Sequence, residues 1–217
     1  MINTVNNLIS IQETLGKRIK NFKQPNIVAV SKTYPIENIF PLINHGHEHY
    51  GENKVQEAIE KWSSIKEDFT NIKLHMIGKL QTNKVKHAVH LFDYIHSLDN
   101  MKLAEKISTE AIKVNKKPKI FIQINIGDEA QKNGIEVDSL STFYLICKRD
   151  LGLDIVGLMC LPPKNNSSFE YFTKMQKLLT DIKENELSMG MSYDYIDAAV
   201  NGATFLRIGS KIFGQRN

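Results

Sequence analysis

Cysteine is nearly absent: the 217 residues hold only Cys147 and Cys160. There is no CxxC and no clustered His/Cys quartet, so neither a disulfide framework nor a structural zinc site is supported. The pair suits a reducing cytosol. Arginine is also scarce, with Arg18, Arg149, Arg207 and Arg216 against 28 basic residues in all. Planar, two-pronged recognition of an anion therefore has few candidates. No apolar run approaches the roughly eighteen residues a membrane span needs. The opening Met1-Ile2-Asn3-Thr4-Val5-Asn6-Asn7-Leu8 has neither a charged start nor a continuous apolar stretch, so it does not read as a secretion signal. It reads as a helix start, with Leu8, Ile11, Leu15 and Ile19 at helical spacing. The net charge of +4 is small and scattered, which argues against a nucleic-acid surface. With 41% hydrophobic and 24% charged residues, whole-chain disorder is excluded as well.

What is present is a repeating alternation. Strand-like runs occur at 26–31, 48–51, 73–78, 94–98, 119–126, 154–160, 186–189 and 204–208. They recur about every 27 residues, the length of a βα unit. Ile27-Val28-Ala29-Val30 and Ile155-Val156-Gly157-Leu158-Met159 are nearly continuous apolar runs, as parallel strands buried on both faces require. Between the runs lie amphipathic helices. Asp99 is placed to cap one carrying Leu103, Ile107, Ala111 and Val114, and Ser167 with Glu170 forms a capping-box pattern ahead of Phe169, Phe172, Met175, Leu179 and Ile182. No linker divides the chain. The expectation is an α/β fold, one (β/α)8 TIM barrel over residues 1–217, with an open doubly wound sheet as the alternative.

A barrel places its chemistry at the C-terminal ends of the strands and often binds phosphate after strands seven and eight. Lys32 follows the first run, where burial would favour a free amine for Schiff-base chemistry; a solvated loop lysine is the plain alternative. Glu52-Asn53 follows the second run. Ser188, Gly190, Ser192, Gly209 and Ser210 end the last two, where hydroxyls, approachable backbone amides and helix N-termini suit a phosphate; ordinary polar turns are the alternative. Arg207 there suits a phosphate, a carboxylate or a ring nitrogen, or else a structural ion pair. His75 interrupts a buried run and reads either as a hydrogen-bonded core histidine or as a site residue. Lys132 could reach over the mouth or be a solvated turn residue. His45, His47 and His49 alternate, but no carboxylate completes a metal site. Lys79, Lys84 and Lys86 lack stacking aromatics and read as a wet helix face.

The order of segments resembles the pyridoxal phosphate homeostasis family, also called YggS-like. The segments are Ala29-Val30-Ser31-Lys32, Tyr50-Gly51-Glu52-Asn53-Lys54-Val55-Gln56-Glu57, His75-Met76-Ile77-Gly78-Lys79-Leu80-Gln81-Thr82-Asn83-Lys84 and His96-Ser97-Leu98-Asp99. They continue with Lys132-Asn133-Gly134-Ile135, Gly157-Leu158-Met159, Leu187-Ser188-Met189-Gly190-Met191-Ser192 and Arg207-Ile208-Gly209-Ser210-Lys211-Ile212-Phe213-Gly214. Tyr50, Leu74 and Thr82 depart from residues more usual in that family.

The resemblance implies a fold-type III barrel, like the N-terminal domain of alanine racemases, with pyridoxal 5′-phosphate (PLP) held as a Schiff base on Lys32. It implies a cofactor site of Lys32, Asn53, His75, Ser188, Ser192, Arg207, Gly209 and Ser210, in which the serine-glycine segments hold the phosphate and Arg207 faces the pyridine nitrogen. The expected function is vitamin B6 homeostasis as a cytoplasmic, monomeric, non-enzymatic carrier or buffer, with PLP-dependent apo-enzymes as partners and neither nucleic acid nor membrane. The alternative is a PLP-dependent racemase or decarboxylase-like enzyme. The short chain leaves no room for the second domain that completes alanine racemase sites. A cofactor-free lysine aldolase would explain Lys32 but not the ordered segments.

Overall fold

Every expected run forms a strand: β1 (Asn26–Val30), β2 (His49–Glu52), β3 (Lys73–Met76), β4 (Tyr94–Leu98), β5 (Lys119–Ile124), β6 (Ile155–Cys160), β7 (Glu186–Ser188) and β8 (Phe205–Ile208). The computed structural model describes residues 3–19, 24–129, 131–163 and 168–215. All neighbouring strands are parallel, in the order β1 through β8, and β8 pairs back onto β1 to close the barrel. The closing register sets Val28 beside Arg207 and Ala29 beside Ile208. The open doubly wound alternative is thereby excluded.

Helices fill the intervals: α1 (Thr4–Arg18), α2 (Ile36–Asn44), α3 (Val55–Asp68), α4 (Val85–Leu91), α5 (Met101–Val114), α6 (Leu140–Leu145), α7 (Ser168–Ile182), α8 (Tyr195–Val200) and α9 (Ser210–Phe213). In α1, Leu8, Ile11 and Leu15 are buried as their spacing requires. The cap of α5 differs by one residue from expectation. Asn100, not Asp99, is in the extended conformation of an N-cap, and its side chain accepts from the amide of Leu103 at 2.9 Å. In α7, Phe172, Met175, Leu179 and Ile182 are buried, but Phe169 remains 46% exposed. The proposed cap Ser167 lies outside the described residues, as does Arg216.

Two apolar layers result. The larger joins the outer faces of the strands to the helices; the smaller, of Val28, Phe121, Met159 and Phe205, fills the barrel interior. Branched apolar residues usually fill such interiors. Here His75, His96, Ser188 and Arg207 share the space with the aromatic rings, and all four are buried. Gly157 lets the sheet close at β6–β7, since a Cβ there would lie 1.7 Å from the carbonyl oxygen of Glu186.

Candidate functional site

At the C-terminal ends of the strands lies a cavity of about 710 Å³, within the usual range for a small-molecule site. Its walls bring together Lys32, Asn53, Ser192, Arg207, Gly209 and Ser210, all nominated from sequence. Val30, Ile77, Leu161 and Met191 add apolar wall, and the exposed Tyr193 stands at the rim. His75 and Ser188 do not line it. Both are fully buried in the barrel interior, and the Ser188 hydroxyl is already engaged by Arg207 at 2.6 Å and by His96 at 2.7 Å. The core-histidine alternative for His75 therefore holds.

Lys32 is presented by a clamped turn. Its predecessor Ser31 donates its hydroxyl to Glu52 Oε1 at 2.7 Å and receives Lys61 Nζ on its carbonyl oxygen at 3.0 Å. Its successor Thr33 has a positive φ of 67°, a strained conformation for a β-branched residue, and Glu57 Oε1 accepts from its amide at 2.5 Å. Glu52 is fully buried, and the same oxygen also takes Lys61 and the Trp62 indole, each at 3.0 Å. A buried carboxylate with three donors can hold a turn rigidly. That rigidity keeps the Lys32 amine at the cavity wall.

Arg207 is 4% exposed, which leaves a guanidinium in a dry place. It donates to Ser188 Oγ at 2.6 Å and to the carbonyl oxygen of Cys160 at 2.8 Å, both neutral acceptors. Among the described residues it makes no ion pair with a carboxylate, and no Asp or Glu lines the cavity. Nearby Asp194 offers partial compensation but spends one oxygen on the Met191 amide at 2.6 Å. Burial lowers the Arg207 pKa from its ordinary value, and Cys160 and Asp194 counter it. Such a site favours anionic or electron-rich ligands. Helix dipoles add little, because α8 has six residues and α9 four. Ser192 Oγ instead receives the amide of Lys211 at 3.4 Å, tying the two serine-glycine loops together. Gly190 lies behind the wall, with φ 87° and no room for a Cβ beside Ala198.

The remaining candidates disperse. Lys132 pairs with Glu129 in its own turn, away from the cavity. His47 precedes β2, so the alternating histidines do not share a strand face, and no metal-binding cluster exists among the described residues.

The profile of the family described as "Alanine racemase, N-terminal domain" matches residues 7–217. The pyridoxal phosphate homeostasis protein of Haemophilus influenzae is 35% identical, with all of this chain and 97% of that protein covered. The protein of the same name from Aquifex aeolicus is 36% identical over 88% of this chain and 86% of its own length. The chain belongs to the pyridoxal phosphate homeostasis protein family. PipY of Synechococcus elongatus PCC7942, solved with PLP bound, superposes with a TM-score of 0.87 at 30% identity, covering 98% of this chain and all of that one. A Clostridium difficile alanine racemase shares the fold alone: TM-score 0.74, 16% identity, 99% of this chain against 58% of that one.

Within this family member, sequence reasoning missed the residues that support the site rather than line it. Lys61 and Glu57 come from one face of α3, and their i,i+4 spacing was available as a signal. His96 stood in a quoted segment without a role. Its connection to Arg207 through Ser188 crosses from β4 to β7 and β8, which no local pattern encodes.

Proposed function

We propose that this protein binds PLP reversibly in the mouth cavity and serves vitamin B6 homeostasis as a carrier or buffer. PLP supplies an aldehyde, a phosphate dianion and a pyridine ring. The donor set fits all three: an amine at Lys32, hydroxyls at Ser192 and Ser210, and a buried guanidinium at Arg207 lacking a carboxylate partner among the described residues. That buried cation, without a carboxylate ion pair among the described residues and beside an amine in one cavity, is the observation that carries the reading. Asn53 Oδ1 is buried without a hydrogen-bond partner, an acceptor left for a ligand or water.

In this reading Lys32 holds the cofactor covalently, Ser192, Gly209 and Ser210 hold the phosphate, and Arg207 donates toward the ring nitrogen. Val30 and Ile77 shield the ring from water. A carrier role, rather than racemase or decarboxylase turnover, is supported by the homeostasis naming of the relatives. The cytoplasm suits two buried thiols that form no disulfide. Among the described residues no helix is long and apolar enough to cross a membrane. Delivery to PLP-dependent apo-enzymes is the partner interaction this role calls for.

The test is reconstitution with PLP, borohydride reduction and peptide mass analysis. A visible absorption band and an adduct on Lys32, both lost in Lys32→Ala with the far-ultraviolet circular dichroism retained, are expected. An adduct on Lys79 or Lys132 with the Lys32→Ala spectrum unchanged would overturn the assignment.

A further inference from the structure

A continuous line of polar contacts runs through the barrel from the cavity floor toward its opposite end. Arg207 donates to Ser188 Oγ at 2.6 Å; Ser188 Oγ and His96 Nδ1 are 2.7 Å apart; His96 Nε2 and His75 Nδ1 are 2.8 Å apart; His75 Nε2 and His49 Nδ1 are 2.9 Å apart. His49 opens β2 and is partly exposed, whereas every other member is buried. Aromatic faces fix the imidazole planes: Tyr94 stacks on His75 at 4.3 Å and 8°, and Phe121 stacks on His96 at 4.4 Å and 29°.

The sense of this line follows from what each group can do. A guanidinium has donors and no acceptor, so Ser188 Oγ must accept from it. Ser188 Oγ could accept a second bond, but its own buried proton has no acceptor among the described residues other than His96 Nδ1, so that proton is directed there and Nδ1 is bare. His96 carries its proton on Nε2 and gives it to a bare Nδ1 of His75. His75 in turn donates from Nε2 to His49 Nδ1. The opposite sense would also pair the ring nitrogens, but it strands the buried Ser188 proton, so only this direction uses every donor along the line.

We propose that Ser188, His96, His75 and His49 form a directed hydrogen-bond relay that positions Arg207 from beneath the cavity, with each imidazole protonated on Nε2 alone. These are positioning residues, acting on the ligand only through Arg207. The relay holds the guanidinium through a neutral hydroxyl, leaving Asp194 nearby as partial compensation; a carboxylate in the place of Ser188 would pair with it directly. The surroundings favour neutral imidazoles. His96 faces Arg207 and Tyr94, while His75 has Tyr94, His47, Lys66 and both relay histidines around it. Burial first, then these positive and imidazole neighbours, pushes both far below the ordinary histidine range. At the foot, Lys73 and Lys119 oppose Glu48 and Asp93 around His49, and burial lowers it as well.

The inference deepens the proposed function, since it takes the cavity as the cofactor's place, but its first test needs no cofactor. In the ligand-free protein with 15N-labelled histidine, two-bond proton–nitrogen correlations should show Nε2–H tautomers for His49, His75 and His96. For His75 and His96 these should not change between about pH 5.5 and 8. An Nδ1–H tautomer at His75 or His96, or titration of either in that window, overturns the relay. In the second arm Ser188→Ala cuts the link to Arg207. Affinity for PLP should fall about ten-fold or more, and affinity for pyridoxal by the same factor, because Arg207 does not read the phosphate. Unchanged affinity overturns the positioning role. If Ser188→Ala does not fold, the tautomers of the unmodified protein still decide. Borohydride labelling of unmodified protein separates the two readings: no Lys32 adduct sinks the proposed function, whereas the apo tautomers judge the relay alone.

Discussion

Lys61 reaches from α3 to the carbonyl oxygen of Ser31 at 3.0 Å, one residue before Lys32, while pairing with the fully buried Glu52 at 3.0 Å. One ammonium thus joins the turn that presents the amine to a carboxylate inside the protein. Removing it leaves a buried charge with only two neutral donors. Lys61→Met should destabilise the fold by about 3–5 kcal/mol, read by urea denaturation, and weaken PLP binding by loosening the turn. A Lys61→Met protein of unchanged stability would show that Glu52 needs no cation.

The phosphate reading makes a separable prediction. Ser192 and Ser210 line the cavity, but Ser188 does not. Ser192→Ala or Ser210→Ala should weaken PLP binding roughly 10- to 150-fold, the worth of a hydrogen bond to a charged group, and leave pyridoxal affinity nearly intact. Titration by absorbance would measure both. Equal losses for the two ligands would remove the serines from the phosphate site.

Much of this architecture was legible because parallel βα units write a coarse signal: apolar runs long enough to be buried on both faces, at a constant pitch. The strand ends were overestimated where the runs continue into mouth loops, as at Ile77-Gly78 after β3 and Asn125-Ile126 after β5. Six of the nominated residues share one cavity because strand ends converge in a closed barrel. Ser188 lies off the cavity wall for a reason of parity: side chains alternate between the two faces of a strand, and a three-residue strand such as β7 shows no pattern from which to read its phase. The helix-dipole argument failed because nothing in the sequence fixes α9 at four residues. Contacts between histidines on β2, β3 and β4 depend on the registers of neighbouring strands distant in sequence and lie beyond any local reading.

Gly157 tests how tightly β6 and β7 approach. A methyl group at this position would meet backbone, not a movable side chain, so the strands must separate. Gly157→Ala should cost at least about 3 kcal/mol by denaturant unfolding, more than an ordinary overpacked core. A cost below about 1 kcal/mol would mean the sheet yields there.

We expect the barrel to unfold as one cooperative unit, since β1 is paired on both edges only when β8 joins β2 beside it, with Asn26 to Ala29 paired to Phe205 to Ile208. Limited proteolysis should release no stable folded half. Recovery of a folded fragment such as 1–110 would contradict this.

Acid should weaken the protein through its half-buried His47 and its buried His75 and His96 before its carboxylates protonate. Burial, the largest influence, lowers His47 to about 4 from an ordinary 6.5, and His75 and His96 are lowered as well. A histidine whose folded pKa is depressed binds its proton more readily in the unfolded chain. Its contribution is therefore fully present above the unfolded value and is lost as pH falls toward the folded one. For His47 the window runs from about 6.5 to about 4 and is worth about 3 kcal/mol, with His75 and His96 adding loss of the same sign. Urea midpoints measured from pH 7.5 to 4.5 should fall steadily, and His47→Gln should flatten the slope by about one proton's worth. Stability that stays level across that interval would show that these imidazoles are not kept neutral by burial.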